Sequence, residues 1–321
     1  MGPTVDDRIA PGHGKITCSL NGVSVVFSEL SSTYPLKLLS PRVADNDVAI
    51  VYVMNYGGGL VCGDRIKLQV RAEGGSKLLL LSQGSTKVFK ARSANRASAR
   101  LGNSPTDANL LNNATTTQLM DIYVAPTSAV FLLPDPVTCF RSASYTQVQR
   151  FHLSNGASLV LLDWFTSGRR SLGEEWVFSR YFSVNEVMVN GRRIAKDVML
   201  LEEPLHDDDD DAAVATHRPN RSRRSLSDRL KPYSCYATLI VCGPLVHGVV
   251  AQLKDKLRSY SVLSMAAPPR VLWAMTPVDD GNTFVIRAAG LETEDVKDWL
   301  RGSLKPLEEV VGIDTYRKAF S

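Results

Sequence analysis

The feature that most limits how this chain can fold is a two-residue hydrophobic period that starts near Ile16 and recurs along much of its length. Period two marks a strand half buried in a sheet, whereas an amphipathic helix repeats every 3.6 residues. Val23, Val25 and Phe27 fall on alternate positions. Ile66, Leu68 and Val70 alternate with Arg65, Lys67, Gln69 and Arg71, so one face is buried and the other wet. Residues 48–53 form a run rich in β-branched side chains, and residues 78–81 are apolar throughout, which predicts a strand covered on both faces. Further strands are predicted over residues 86–91, 119–124, 129–133, 145–153, 158–165, 175–189, 236–242, 273–276 and 283–288. Pro134 and Pro136 stop one of them, because neither can donate to a ladder. Asn190-Gly191 predicts a tight hairpin.

Helical periodicity is confined to the C-terminal part. Apolar residues at 246, 250, 253, 257 and 260 predict a helix over 246–265. Thr293 is a candidate N-cap, followed by Glu294 and Asp295 and a helix through Trp299 and Leu300 that Pro306 interrupts. The fold class is therefore mainly β, a sandwich or a solenoid.

Composition removes several functional classes. The net charge of +4 is small and its basic residues are scattered, so nucleic acid is not expected as a partner. No apolar run reaches the roughly 18 residues of a membrane helix. No basic-then-apolar leader opens the chain, so the expected location is cytoplasmic, with residues 1–12 a disordered lead. Five cysteines (18, 62, 139, 235, 242) show no C-x-x-C, and five histidines are equally dispersed. Two stretches read as insertions. Residues 93–113 are rich in Ser, Asn, Ala and Arg, and residues 205–232 join five aspartates at 207–211 to a cluster of arginines, a charge block expected to stay solvated.

Chemistry concentrates where glycines precede acids. Asn55-Tyr-Gly-Gly-Gly-Leu-Val-Cys-Gly-Asp64 holds four glycines in seven residues between two predicted strands. Gly58 and Gly63 have P-loop spacing, but Asp64 and Arg65 stand where Lys and Ser or Thr would hold phosphate and Mg²⁺. The dinucleotide fingerprint fails at Cys62. Two readings stay open: Asp64 caps a backbone amide of a tight turn, or its carboxylate faces a ligand. The second stretch is Ser82-Gln-Gly-Ser-Thr-Lys87. The third runs from Asp163-Trp164 through Gly168-Arg169-Arg170 and Gly173 to Glu174-Glu175-Trp176. Two such acids flanking a sugar would suit a β-rich carbohydrate hydrolase. No nucleophile elbow or Ser-His-Asp order is present.

Taken in order, these blocks resemble the UreD (UreH) family of urease accessory proteins. The resemblance rests on Ser32-Thr-Tyr-Pro-Leu-Lys-Leu38, Gly57-Gly-Gly-Leu-Val-Cys-Gly-Asp64, Ser82-Gln-Gly-Ser-Thr-Lys-Val-Phe89, Leu133-Pro-Asp-Pro136 and the block from Asp163 to Trp176. Tyr56 and Cys62 depart from the family's proline and glycine. The two insertions suit a eukaryotic, fungal-like member. The resemblance implies one UreD-like domain over 1–321, built as a right-handed helical β-sheet with two C-terminal α-helices. It also implies a non-enzymatic chaperone for nickel insertion. Such a chaperone joins UreF, and through it the GTP-binding UreG, to apo-urease. Ni²⁺ passes through in transit, with no tightly bound cofactor. A conduit needs donors weaker than imidazole or thiolate, which singles out Asp64, Asp163, Glu174, Glu175 and Thr86. A scaffold that never touches metal is the remaining alternative.

Overall fold

The structure is a computed structural model that describes residues 10–41, 47–90, 115–203, 224–259 and 267–320. The 93–113 stretch and the aspartates at 207–211 lie outside the described residues.

The strands build two sheets, and the chain winds between them. The first sheet contains β1 (His13–Asn21), β2 (Ser24–Ser32), β5 (Arg65–Glu73), β8 (Thr116–Val124), β11 (Ser144–Leu153), β13 (Arg180–Val189) and β14 (Arg192–Glu202), in the order β14-β13-β11-β8-β5-β1-β2. The second runs β16-β17-β15-β12-β9-β6-β4-β3. It is built from β3 (Leu36–Leu39), β4 (Val48–Asn55), β6 (Lys77–Leu81), β9 (Ala129–Leu132), β12 (Ser158–Thr166), β15 (Cys235–Cys242), β16 (Val271–Val278) and β17 (Thr283–Gly290). Two short strands, β7 (Thr86–Val88) and β10 (Val137–Cys139), extend it beside the end of β12.

From β4 to β13 successive segments alternate between the sheets, and neighbours within each sheet run parallel. Parallel strands need a crossover connection. Here the crossover is a strand of the opposite sheet, so the middle of the molecule is a solenoid with two β walls. Antiparallel hairpins finish it: β1/β2 and β13/β14 on the first sheet, β15/β17/β16 on the second.

The hydrophobic patterns state which sheet is which. β5 alternates buried and exposed positions because its outer face meets water. Every residue of β12, and Leu78–Leu81 in β6, is buried, because the second sheet is covered on both faces. One core, including Leu68, Val70, Ile122, Phe151, Leu161 and Ile240, fills the space between the sheets. A second core packs Phe131, Val160, Leu162 and Leu239 against helices. These helices are α2 (His247–Arg258), α3 (Thr293–Ser303), α4 (Glu308–Val311) and α5 (Ile313–Ala319). The mainly β class follows directly.

Several boundaries differ from expectation. No strand covers residues 175–179. Trp176 has φ 58° and donates its N–H to Ser167 O at 2.7 Å, so the backbone closes a turn and the strand starts at Arg180. Part of the 205–232 stretch is ordered: α1 (Leu226–Leu230) starts with a Ser225/Asp228 capping box and buries Leu226. The first long helix begins at His247, after a turn opened by Pro244, and ends at Arg258; residues 260–266 lie outside the described residues. Thr293 is the first helical residue of α3, with Glu292 in the cap position.

Candidate functional site

The inner face of the first sheet carries an unusual mixture. On β11, Tyr145, Gln147, Gln149 and Phe151 point inward; on β13, Tyr181, Ser183, Asn185 and Val187 do so. The amides and the serine are all at most 3% exposed. Opposite them, β12 presents one carboxylate, Asp163, in a strand that is otherwise nearly all apolar.

Asp163 is held by neutral donors. Ser183 Oγ donates at 2.6 Å, Asn185 Nδ2 at 2.7 Å and Gln147 Nε2 at 3.0 Å, with Tyr181 OH at 3.4 Å. Burial pushes its pKa up, and the three strongest of these hydrogen bonds oppose that shift without cancelling it. No cation pairs with it among the described residues. Tyr145 OH donates to Gln118 and Gln147, extending the network toward β8.

The layer continues the other way. Asn185 lies across from Asp197 on β14, and Asp163 lies across from Thr238 on β15. Thr238 Oγ1 donates to Asp197 Oδ2 at 3.3 Å, and Arg287 on β17 forms an ion pair with the other oxygen. Two side-chain oxygens in this layer, Gln149 Oε1 and Asn185 Oδ1, are buried without a hydrogen-bond partner. Leaving such groups unmet costs on the order of 1–3 kcal/mol each.

One end of the layer opens into a cavity of about 40 Å³, lined by Thr86, Gln118, Gln147, Gln149 and Asp163 among others. That is room for roughly three waters. An outer hollow of about 200 Å³ shares Asn55, Ser82 and Thr86 with it and adds Gly58 and Gly59. The glycine stretch and the Ser82–Thr86 loop are therefore two lips of one mouth. Gly59 has to be glycine by close approach: a Cβ there would sit 2.5 Å from Lys87 O. Asp135 pins the other lip, accepting from Gly84 N at 2.9 Å and from Ser82 Oγ at 3.3 Å.

The five residues singled out from sequence separate into two groups. Thr86 and Asp163 line the same cavity. Asp64 lies in the glycine turn, where its Oδ2 accepts from Val61 N at 2.9 Å. Glu174 makes a two-bond contact with Arg169, both at 2.8 Å, and those hydrogen bonds hold its pKa below the usual carboxylate range. Glu175 pairs with Arg170 at 2.9 Å. Asp64→Ala is expected to cost about 1 kcal/mol through the lost turn hydrogen bond and to leave the Asp163 network intact. A thermal melt that fell much further would give Asp64 a larger part in the fold.

Sequence reasoning gave no site role to Gln147, Gln149, Asn185, Asp135 or Asp197. A signal was present for the first three, which share strand parity with Tyr145, Phe151, Tyr181 and Val187 and so belong to the inward face. No group of three or more His, Cys, Asp or Glu side chains gathers among the described residues. The donors here are carboxylate, amide and hydroxyl oxygens, which hold a divalent metal less tightly than imidazole or thiolate. The cysteines form no disulfide, and burial pushes the Cys139 and Cys235 thiols up, so those two pack as neutral groups. No helix among the described residues is long and apolar enough to cross a membrane.

Comparison with known proteins decides the family. A profile described as the UreD urease accessory protein matches residues 11–317. The chain belongs to the UreD family. Similar members include urease accessory protein 4 of Cryptococcus neoformans var. grubii, 35% identical over 92% of this chain and 90% of the relative. Urease accessory protein D of Arabidopsis thaliana is 29% identical over 94% of this chain and 99% of its own length. Urease accessory protein UreD of the bacterium Sorangium cellulosum is 29% identical over 96% and 84%. The glycine mouth, the Asp135 pin and the Asp163 strand of this UreD chain all fall within the matched span.

Proposed function

We propose that the chain serves urease maturation by passing Ni²⁺, as cargo, through the polar layer between its sheets. It would do so while docked to UreF, with UreG binding GTP, and to apo-urease in the cytoplasm. The observation that carries this reading is the layer itself. A buried carboxyl group, Asp163, and two unpartnered amide oxygens lie between the sheets, where a plain apolar core would be more stable. Oxygen donors of this kind admit a cation and release it again, and capture then belongs to a site with better ligands. The proposed path enters between the glycine stretch and the Ser82–Thr86 loop, passes Thr86 and reaches Asp163. It does not use Asp64, Glu174 or Glu175, each of which already has a turn amide or an arginine. A hydrolase working with two of Asp64, Asp163, Glu174 and Glu175 would have to use a 9% exposed Asp163 or acids already held by a turn amide or an arginine, and this favours the conduit.

The test is reconstitution. Apo-urease, UreF and UreG are co-expressed with nickel, with and without this chain, and urea hydrolysis is read together with urease-bound nickel. Both are expected only with the chain present. If Asp163→Asn still binds its partners and still loads nickel, the scaffold reading replaces the conduit. If the wild-type chain changes neither readout with a matched urease, the role in maturation falls.

A further inference from the structure

At the far end of the polar layer, among the described residues, Arg287 meets the last carboxylate, Asp197. β17 reads Thr-Phe-Val-Ile-Arg-Ala-Ala-Gly, and its parity puts Val285, Arg287 and Ala289 on the face that looks toward the first sheet. Val285 packs in the core between the sheets. The first sheet ends at β14, so Arg287 reaches across the open edge of the sandwich and pairs with Asp197. The two partners differ sharply in exposure: the arginine side chain is 57% exposed and the aspartate 9%. The guanidinium sits at the rim and the carboxylate inside.

Behind that pair the layer is continuous. Thr238 holds the second Asp197 oxygen. Asn185, across from Asp197, donates to Asp163 at 2.7 Å, while its own Oδ1 is buried without a partner. A line of oxygens therefore runs from the Thr86 cavity to the rim, and its last carboxylate is occupied by a fixed positive charge.

We infer that Arg287 is a displaceable plug that closes the side exit of this layer, and that a divalent cation must drive its guanidinium off Asp197 in order to leave. The inference rests on the conduit reading and adds its regulation. A buried carboxylate needs a counter-charge when no cargo is present, and Arg287 supplies one. Its planar fork suits a carboxylate. Because the head group already touches water, swinging outward desolvates nothing new. Inward-facing Asp197 then offers its oxygen to the cation, whose higher charge competes for the same atom. Until that exchange occurs, the guanidinium repels any cation that approaches the exit from either side.

The experiment uses the chain co-purified with its accessory partners and Ni²⁺ alone as probe. Equilibrium dialysis measures affinity, and nickel appearance in added apo-urease measures release. Arg287→Gln is expected to bind Ni²⁺ at least tenfold more tightly and to leak it to a chelator faster. Arg287→Lys, which keeps the charge, is expected to remain within a few-fold of wild type. Adding Asp197→Asn to Arg287→Gln is expected to remove the gained affinity. Melting curves show that each variant is folded; should Arg287→Gln fail to fold, Arg287→Met carries the same expectation. Wild-type affinity and release in a folded Arg287→Gln protein would overturn the plug. If Asp163→Asn alone stops transfer in that case, the conduit survives without its gate. If no variant binds Ni²⁺ saturably, conduit and plug fall together.

Discussion

Asp163→Asn is expected to stop nickel delivery while leaving the folded protein at least as stable as the wild type near neutral pH. Asp163 is the carboxyl group between the cavity and Asp197, and replacing it removes the anion that would attract a passing cation in a poorly screened interior. That attraction exceeds the ~1.4 kcal/mol that a factor of ten represents, so urease activation should drop by more than about tenfold. Shape is kept: the side-chain oxygen can still accept from Ser183, and the Asn185 and Gln147 amides can reorient.

The stability half of this expectation follows from the direction of the pKa shift. Burial raises the pKa of Asp163 in the folded state. The folded protein therefore holds its proton more tightly than the unfolded chain does. Stability falls as pH rises from the unfolded aspartate value of about 3.9 through the raised folded value, and is lowest above both. The Asn variant lacks that slope. The Glu174 contribution has the opposite sign, since its depressed pKa stabilises above the unfolded value and is lost on acidification; the difference between the two proteins cancels it. Melting temperatures across pH 4 to 8 would check this. A wild type more stable than Asp163→Asn at pH 8 would mean that the hydrogen bonds to Asp163 outweigh its burial.

Gly168→Ala is expected to cost about 3–5 kcal/mol, combining left-handed backbone strain with a steric clash. Gly168 has φ 131°, and a Cβ there would lie 2.6 Å from Glu174 O and 3.4 Å from Glu174 C. Both are backbone atoms that cannot turn away. The loss is a large share of the 5–15 kcal/mol that keeps a domain folded. It would also reach the site, because the turn that Gly168 opens leads through buried Trp176 and Phe178 into β13, which supplies Ser183 and Asn185. Gly173 is the internal control. Its φ is 69° and nothing lies within 4 Å of a built Cβ, so Gly173→Asn should change stability by less than about 1 kcal/mol. Denaturant midpoints compare the two, and an unshifted midpoint for Gly168→Ala would sink the argument.

How much was readable before the structure depends on the range of the interaction concerned. The Asn190-Gly191 hairpin, the end of β9 before Pro134 and the apolar run of β6 are local, and all were legible. The false strand over residues 175–179 shows the limit. Periodicity suggested a ladder, but Arg169 and Arg170 meet Glu174 and Glu175 and stabilise a turn instead. The ordered α1 was hidden by its charged surroundings, although its Ser-x-x-Asp box was written in the chain. The candidate site was half legible. Asp163 stands out as one acid in an apolar strand, and Gln147 and Gln149 share parity with Tyr145 and Phe151.

Sequence alone determined that this protein is a stack of short strands, which faces of those strands are apolar, and where glycine must bend or thin the backbone. Those properties depend on side-chain parity and on φ, both fixed within a few residues. Only the tertiary structure decided which polar groups meet. Asp163 finds Ser183 and Asn185 about twenty residues on, and Asp197 finds Arg287 ninety residues on. Such meetings depend on the register between strands and on how the coil stacks one sheet over the other. Parity names the face a residue points to; the stacking of the two sheets supplies what it faces.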